Sequence, residues 1–189
     1  MAKIAGQKGS DDLVLRARTD ADALGRLYDS YYEPIFRFCL CRVFHRETAE
    51  DVTSTVFLNV ARGISSFEGR TEPDFRNWLY RIAANHANAH VRKTSRRKQL
   101  LTEAAGSIVA SRTESTGDPP QFDWPMLYAA ILTLKPKHQT IIILRFFENM
   151  EFEEIAKIVK ARPVAVRVAL HRALKKLGAY LETVLGGGA

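Results

Sequence analysis

The sequence predicts an all-α protein of two helical domains joined by a linker, on three observations. Apolar residues recur at three- and four-residue spacing almost throughout, the period of a helix with one buried face. No stretch sustains apolar–polar alternation bounded by turn residues, so no sheet is expected. The composition changes sharply once: residues 99–123 hold Ser, Thr, Gly and the pair Pro119–Pro120 but few large apolar side chains, the make-up of a linker.

Each element follows from its spacing. Leu24, Leu27, Tyr28, Tyr31 and Tyr32 mark one helical face, and Ile35, Phe36, Phe38, Cys39 and Val43 carry it past Pro34. Val52, Val56, Phe57 and Val60 form the stripe of a second helix. Phe75, Trp78, Leu79, Ile82 and Ala83 form a third, with Trp78 read as core. The first domain is expected over 11–98, the linker over 99–123 and a second helical domain over 124–185. The chain then closes on Gly186–Gly188, and no further regulatory domain is expected. With 189 residues and 46% apolar composition, two small cores are affordable in size.

Charge narrows the function classes. The net charge is +7, which favours a polyanionic partner. It is concentrated in two patches: residues 70–98 and residues 160–176 each carry +6, so the rest of the chain is net acidic, the linker included at −3. Two basic patches, one per domain, suggest a nucleic-acid clamp, against the plainer reading of two solvated helix faces. No signal-peptide pattern opens the chain, and apolar runs such as Ile141–Leu144 are far too short to span a bilayer, so a cytosolic protein is expected. Cys39 and Cys41 lie two apart and point to different helix faces, which disfavours both a mutual disulfide and a shared metal. His86 and His90 are four apart, but no Cys or carboxylate nearby in sequence completes a metal site. With no phosphate loop or nucleophile motif either, neither an enzyme nor a cofactor is expected.

The second patch has the pattern of a helix-turn-helix. Phe152, Ile155, Ala156, Ile158 and Val159 make a short helix opened by Glu151, Glu153 and Glu154, acids that suit the start of a helix dipole. After a break at residues 160–162, Pro163 suits the first position of the next helix. Val166, Leu170, Leu174 and Leu177 are its expected buried stripe. At about 100° per residue, Val164, Ala165, Val168, His171, Arg172 and Lys175 fall on the opposite face. The cations suit phosphates and guanine edges. Val and Ala can only meet thymine methyl groups, or else dock on protein.

At this point the whole chain resembles an RNA polymerase sigma factor of the sigma-70 family, extracytoplasmic-function (ECF) group. The resemblance runs from about residue 11 to 182. "DADALGRLYDSYYEPIFRFCL" resembles the group's opening helices, "TAEDVTSTVFLNVARGISSF" its polymerase-binding helix, and "DFRNWLYRIAANHANAHVRK" its −10 promoter helix in sigma region 2. "LKPKHQTIIILRFFENMEFEEIAKIVKARPVAVRVALHRALKKL" is similar to sigma region 4, which binds the −35 element.

The resemblance implies binding to core RNA polymerase and recognition and opening of promoter DNA. Glu50, Asp51, Asn59 and Arg62 would face polymerase. The loop 68–74, with Arg70 and Thr71, would capture a flipped base of the −10 element, because only an unstacked base exposes its whole edge. Arg76, Asn77, Tyr80, Arg81, Asn85 and Asn88 would line the groove for the melted strand, and Arg92, Lys93, Arg96 and Arg97, with Lys98, would hold phosphates. Arg162, Val164, Ala165, Arg167, Val168, His171, Arg172 and Lys175 would meet the −35 element. The acidic linker would occupy a path built for RNA. An anti-sigma factor is a further implied partner. The alternatives are a helix-turn-helix regulator that never engages polymerase, and a protein-interaction module using the Val–Ala face.

Several positions depart from the family pattern. Ser54 and Thr55 stand where Gln and an acid are usual, and Ala89 where Asp is usual. Lys160 replaces the turn glycine. Arg162, Ala165, Val168 and Ala169 replace the usual polar start of the recognition helix, whereas Arg167 and "LHRA" match. The expectation is a helix that keeps its grip on DNA and has an unusual sequence preference.

Overall fold

A computed structural model describes residues 2–105 and 124–186, with side chains over 9–94 and 126–184. Among them are eight α-helices and no strand, as the periodicity predicts. The first body comprises α1 (Ala2–Arg16), α2 (Ala21–Val43), α3 (Arg46–Gly63), a short 3-10 turn (Ile64–Ser66) and α4 (Glu72–Ala105). The second comprises α5 (Trp124–Leu132), α6 (Pro136–Phe146), α7 (Phe152–Ile158) and α8 (Pro163–Gly186).

Local chemistry sets the boundaries. The Asp20 carboxylate accepts from the Asp22 N–H at 2.9 Å and caps α2. This helix runs through Pro34 without a break, so the two apolar faces read on either side of it belong to one helix. It ends at Phe44, whose φ of 55° turns the chain into α3. Pro136 and Pro163 occupy the first positions of α6 and α8, where a missing N–H costs nothing. Glu154 accepts from the Glu151 N–H at 3.0 Å and secures the start of α7.

In the first body α2, α3 and α4 pack around Ile35, Phe38, Val56, Val60, Phe75, Leu79 and Ala83, all essentially buried. Burial of each large side chain contributes ~1.5–3 kcal/mol. Trp78 is partly buried, stacked on Phe67 with ring centroids 4.8 Å apart. The helix α1 was not legible in the sequence; it lays Val14 on this core, and the turn after it adds Ala17. In the second body Ile131, Ile141, Leu144, Ile155, Val166, Leu170 and Leu177 are buried. One expected member of that stripe is corrected: Leu174 is 42% exposed, and the smaller Ala173, one residue earlier, faces inward in its place. The helix α4 also continues to Ala105, into the segment read as linker; residues 106–123 lie outside the described residues. The two bodies touch, α7 and α6 packing on α4 and α6 on α2.

Candidate nucleic-acid and polymerase interface

The loop before α4 is held from three sides. Asp74 accepts from the Thr71 hydroxyl at 2.7 Å and from the N–H groups of Arg70 and Thr71, both at 3.3 Å. These bonds, the Thr71 hydroxyl first, hold the Asp74 carboxyl below its ordinary range. Asp11 of α1 accepts from the Glu72 N–H at 2.7 Å, and Arg18, in the turn after α1, donates to the Gly69 carbonyl. Gly69 has no room for a side chain: a Cβ there would lie 2.3 Å from Phe67 and 2.7 Å from the Asp74 Cβ. Above the loop is a cavity of about 390 Å³ lined by Phe67, Glu68, Asp74, Asn77, Trp78 and Lys157 among others. The Asn77 Oδ1 is buried there without a hydrogen-bond partner.

Along α4 the expected strand-binding residues divide. Arg92 and Lys93 are exposed or nearly so, and the side chains of Arg96 and Arg97 lie outside the described residues. Asn85 is exposed, and with Arg81 and Asn88 it lines a cleft whose far wall is Lys137, Thr140, Ile158, Val159 and Lys160 of the second body. Arg76 pairs with Glu154, and the Tyr80 hydroxyl donates to Glu148. Tyr80 is only 2% exposed and packs edge-on against Phe38. Burial pushes its phenol well above the ordinary range, and burial likewise raises the Glu148 carboxyl.

The helix-turn-helix forms as its spacing predicts. Lys160 adopts φ 49°, the left-handed turn conformation in which glycine is usual, and the Ala161 N–H reaches the Ala156 carbonyl at 2.9 Å. All eight expected −35 residues, from Arg162 to Lys175, are exposed. Val164 is 67% and Val168 44% exposed beside them, so an apolar strip runs through a cationic face. The Arg167 guanidinium lies over the Phe152 ring at 5.1 Å.

The outer face of α3 carries Asp51, Ser54, Thr55, Leu58 and Arg62, all exposed. Glu50 and Asn59 are half-buried at its edges, Glu50 paired with Arg46 at 3.0 Å and Asn59 donating to the Thr55 carbonyl at 2.8 Å.

The family model for Sigma-70 region 2 matches residues 27–97, and that for Sigma-70, region 4 matches residues 125–177. The RNA polymerase sigma factor YlaC of Bacillus subtilis is 32% identical over 162 residues, which is 82% of this chain and 90% of its own length. The chain belongs to the sigma-70 family, in its ECF group.

The ECF RNA polymerase sigma factor BldN of Streptomyces coelicolor is also 32% identical to this sigma factor, over 90% of this chain; the chain spans only 65% of BldN. Two solved structures share its fold. The sigma factor RpoE in complex with the anti-sigma factor NepR from Bartonella quintana has a TM-score of 0.65 at 18% identity, covering 84% of this chain and 96% of that one. CnrH in complex with the cytosolic domain of CnrY has 0.66 at 19% identity, covering 92% and 97%.

Sequence reasoning missed four residues that shape or support these surfaces in the sigma factor. Leu58, 49% exposed, sits in the middle of the α3 face; an apolar residue out of phase with Val56 and Val60 was the available signal. Asp11 and Arg18 support the loop before α4 across more than fifty residues of chain, a contact no local spacing encodes. Arg42, 0% exposed, donates to Asn88 and Gln139. No helix of the described residues is long and apolar enough to cross a membrane.

Proposed function

We propose that the sigma factor divides its work along the chain as the expected domains do: 11–98 for polymerase binding and the −10 element, 99–123 as an acidic linker, and 124–185 for the −35 element. One observation carries this reading. A single chain presents an exposed polar face on α3, centred on Leu58, and an exposed cationic face on α8. A regulator that never engages polymerase would use only the second, and the first body would have no task. In this reading Glu50, Asp51, Asn59 and Arg62 contact polymerase with Leu58 among them. The cavity beside Gly69 takes the flipped base, offering Asn77 as an unsatisfied acceptor. Arg92 and Lys93 hold phosphates. The chain performs no chemistry itself, needs no cofactor, and works in the cytoplasm with core polymerase, promoter DNA and an anti-sigma factor.

The test is run-off transcription with core RNA polymerase on fragmented genomic DNA, with and without the protein. The expected result is new transcripts sharing a pair of upstream elements. DNA binding without new transcripts and without co-elution with core enzyme would overturn the reading.

A further inference from the structure

The loop before α4 is braced from behind by groups that base capture itself does not use. The helix α1 packs on both α2 and α4, seated by the fully buried Val14. From the turn after it, the Arg18 guanidinium makes two contacts, both with the loop. It donates to the Gly69 carbonyl and lies over the Phe67 ring, 6.0 Å from the centroid. Among the described residues no carboxylate pairs with it. Phe67 in turn stacks on Trp78 at 4.8 Å. Asp11 reaches the other end of the loop. There α4 opens with a reciprocal cap: Asp74 accepts from the Thr71 N–H, and the Thr71 hydroxyl oxygen accepts from the Asp74 N–H, both at 3.3 Å. That cap does not serve the Glu72 N–H, one of the donors that a first helical turn leaves open. Asp11 accepts it at 2.7 Å, across 61 residues of chain. The Glu72 carboxyl is held too, accepting from the Tyr31 hydroxyl of α2.

Phe67, Gly69, Asp74 and Trp78 line the cavity beside the loop, whereas Asp11 and Arg18 stand one layer behind it. We infer that Asp11 and Arg18 are positioning residues for base selection: they fix the loop in the shape that receives an unstacked base, and so set which base the cavity accepts without touching it. The inference rests on the reading of that cavity as the base site. Asp74 bonds only within residues 70 and 71, so its cap alone leaves the Gly69 carbonyl and the Phe67 ring unheld. Telling one base from another requires the lining groups to be placed within about 0.5 Å. Phosphate contacts carry affinity and base contacts carry selectivity. Loss of the brace therefore lowers selectivity at one position and leaves the exposed Arg92, Lys93 and α8 face unchanged.

The test uses the full chain with core polymerase and a promoter identified from its run-off transcripts. Fork-junction DNA, duplex upstream and single-stranded over the −10 element, is varied one base at a time, and affinity is read by fluorescence anisotropy. The wild-type chain is expected to show a single-stranded position at which a changed base weakens binding about tenfold or more. Arg18→Gln and Asp11→Ala are expected to reduce that factor to about threefold or less, with base preference in the −35 element changed less than about twofold. Asp11→Asn keeps an oxygen acceptor for the Glu72 N–H and is expected to retain the wild-type factor. Asp12→Ala and Arg16→Gln make the same charge changes at exposed positions of α1, Arg16 being paired with Asp20 instead, and should retain it as well.

Full selectivity in both Arg18→Gln and Asp11→Ala would overturn the inference. So would a loss in Asp11→Asn equal to that in Asp11→Ala, or an equal loss in the Asp12 and Arg16 variants, since either would assign the effect to charge. A matching loss of preference in the −35 element would assign it to general loss of structure and overturn the inference too. If Arg18→Gln does not fold, the contrast between Asp11→Ala and Asp11→Asn decides. A wild-type chain with no base-selective single-stranded position would instead overturn the base-site reading, and the inference with it.

Discussion

At Lys160 a lysine holds a backbone conformation that costs L-residues about 1 kcal/mol and glycine nothing. Lys160→Gly is therefore expected to stabilise the protein by roughly 0.5–1 kcal/mol, read as a melting temperature about 2–3 °C higher. The same exchange at Phe44, also left-handed, would forfeit the ring contact with Tyr128 and is expected to destabilise. At Gly69 the direction reverses. A methyl group there would meet the Asp74 Cβ, so Gly69→Ala is expected to cost ~1–3 kcal/mol by thermal melting. Cys39 offers a pH test. Burial raises its thiol from 9.0 to about 11, so the folded chain binds the proton more tightly than the unfolded one. Its contribution to stability is full below pH 9 and is lost as pH rises through 11; denaturant midpoints should fall across that window, and Cys39→Ser should flatten the fall.

Among the elements, α3 and α8 present their faces differently. On α3 an apolar side chain lies among polar ones, and Leu58→Glu is expected to abolish co-elution with core polymerase without lowering the melting temperature. On α8 the apolar strip of Val164, Ala165 and Val168 can meet only thymine methyls in a major groove. Each methyl buried contributes ~0.8 kcal/mol, so replacing a contacted thymine by deoxyuridine should weaken duplex binding about fourfold. An unchanged affinity with every thymine replaced would remove this readout. These helices were legible because a local period encodes them: the stripes through Val56 and Leu79 and the break before Pro163 all appear where spacing places them. The exception on α8, Leu174, shows the limit. Phase gives a face to within a residue, and packing against α6 selects Ala173. The loop before α4 was legible as a loop only. Its shape comes from Asp11 and Arg18, and its lining from Lys157, residues distant in sequence that only the folded chain gathers.

For the whole molecule, the distribution of charge was legible and the contact between the bodies was not, since Arg42, Asn88 and Gln139 look like ordinary polar residues of three separate helices. The linker belongs to this scale too. Replacing its four acids, Glu103, Glu114, Asp118 and Asp123, by Ser or Asn is expected to alter the pattern of abortive transcripts; an unchanged pattern would count against a path shared with RNA. The Arg42 site also limits how such proteins can be recombined. A chimera that joins this first body to a second body without glutamine at the place of Gln139 inherits a buried guanidinium with one of its two acceptors missing, whatever the quality of the new −35 helix. Promoter specificity on this scaffold is therefore exchanged more safely by grafting the outer face of α8 than by swapping whole domains, unless residues 42, 88 and 139 travel as a set.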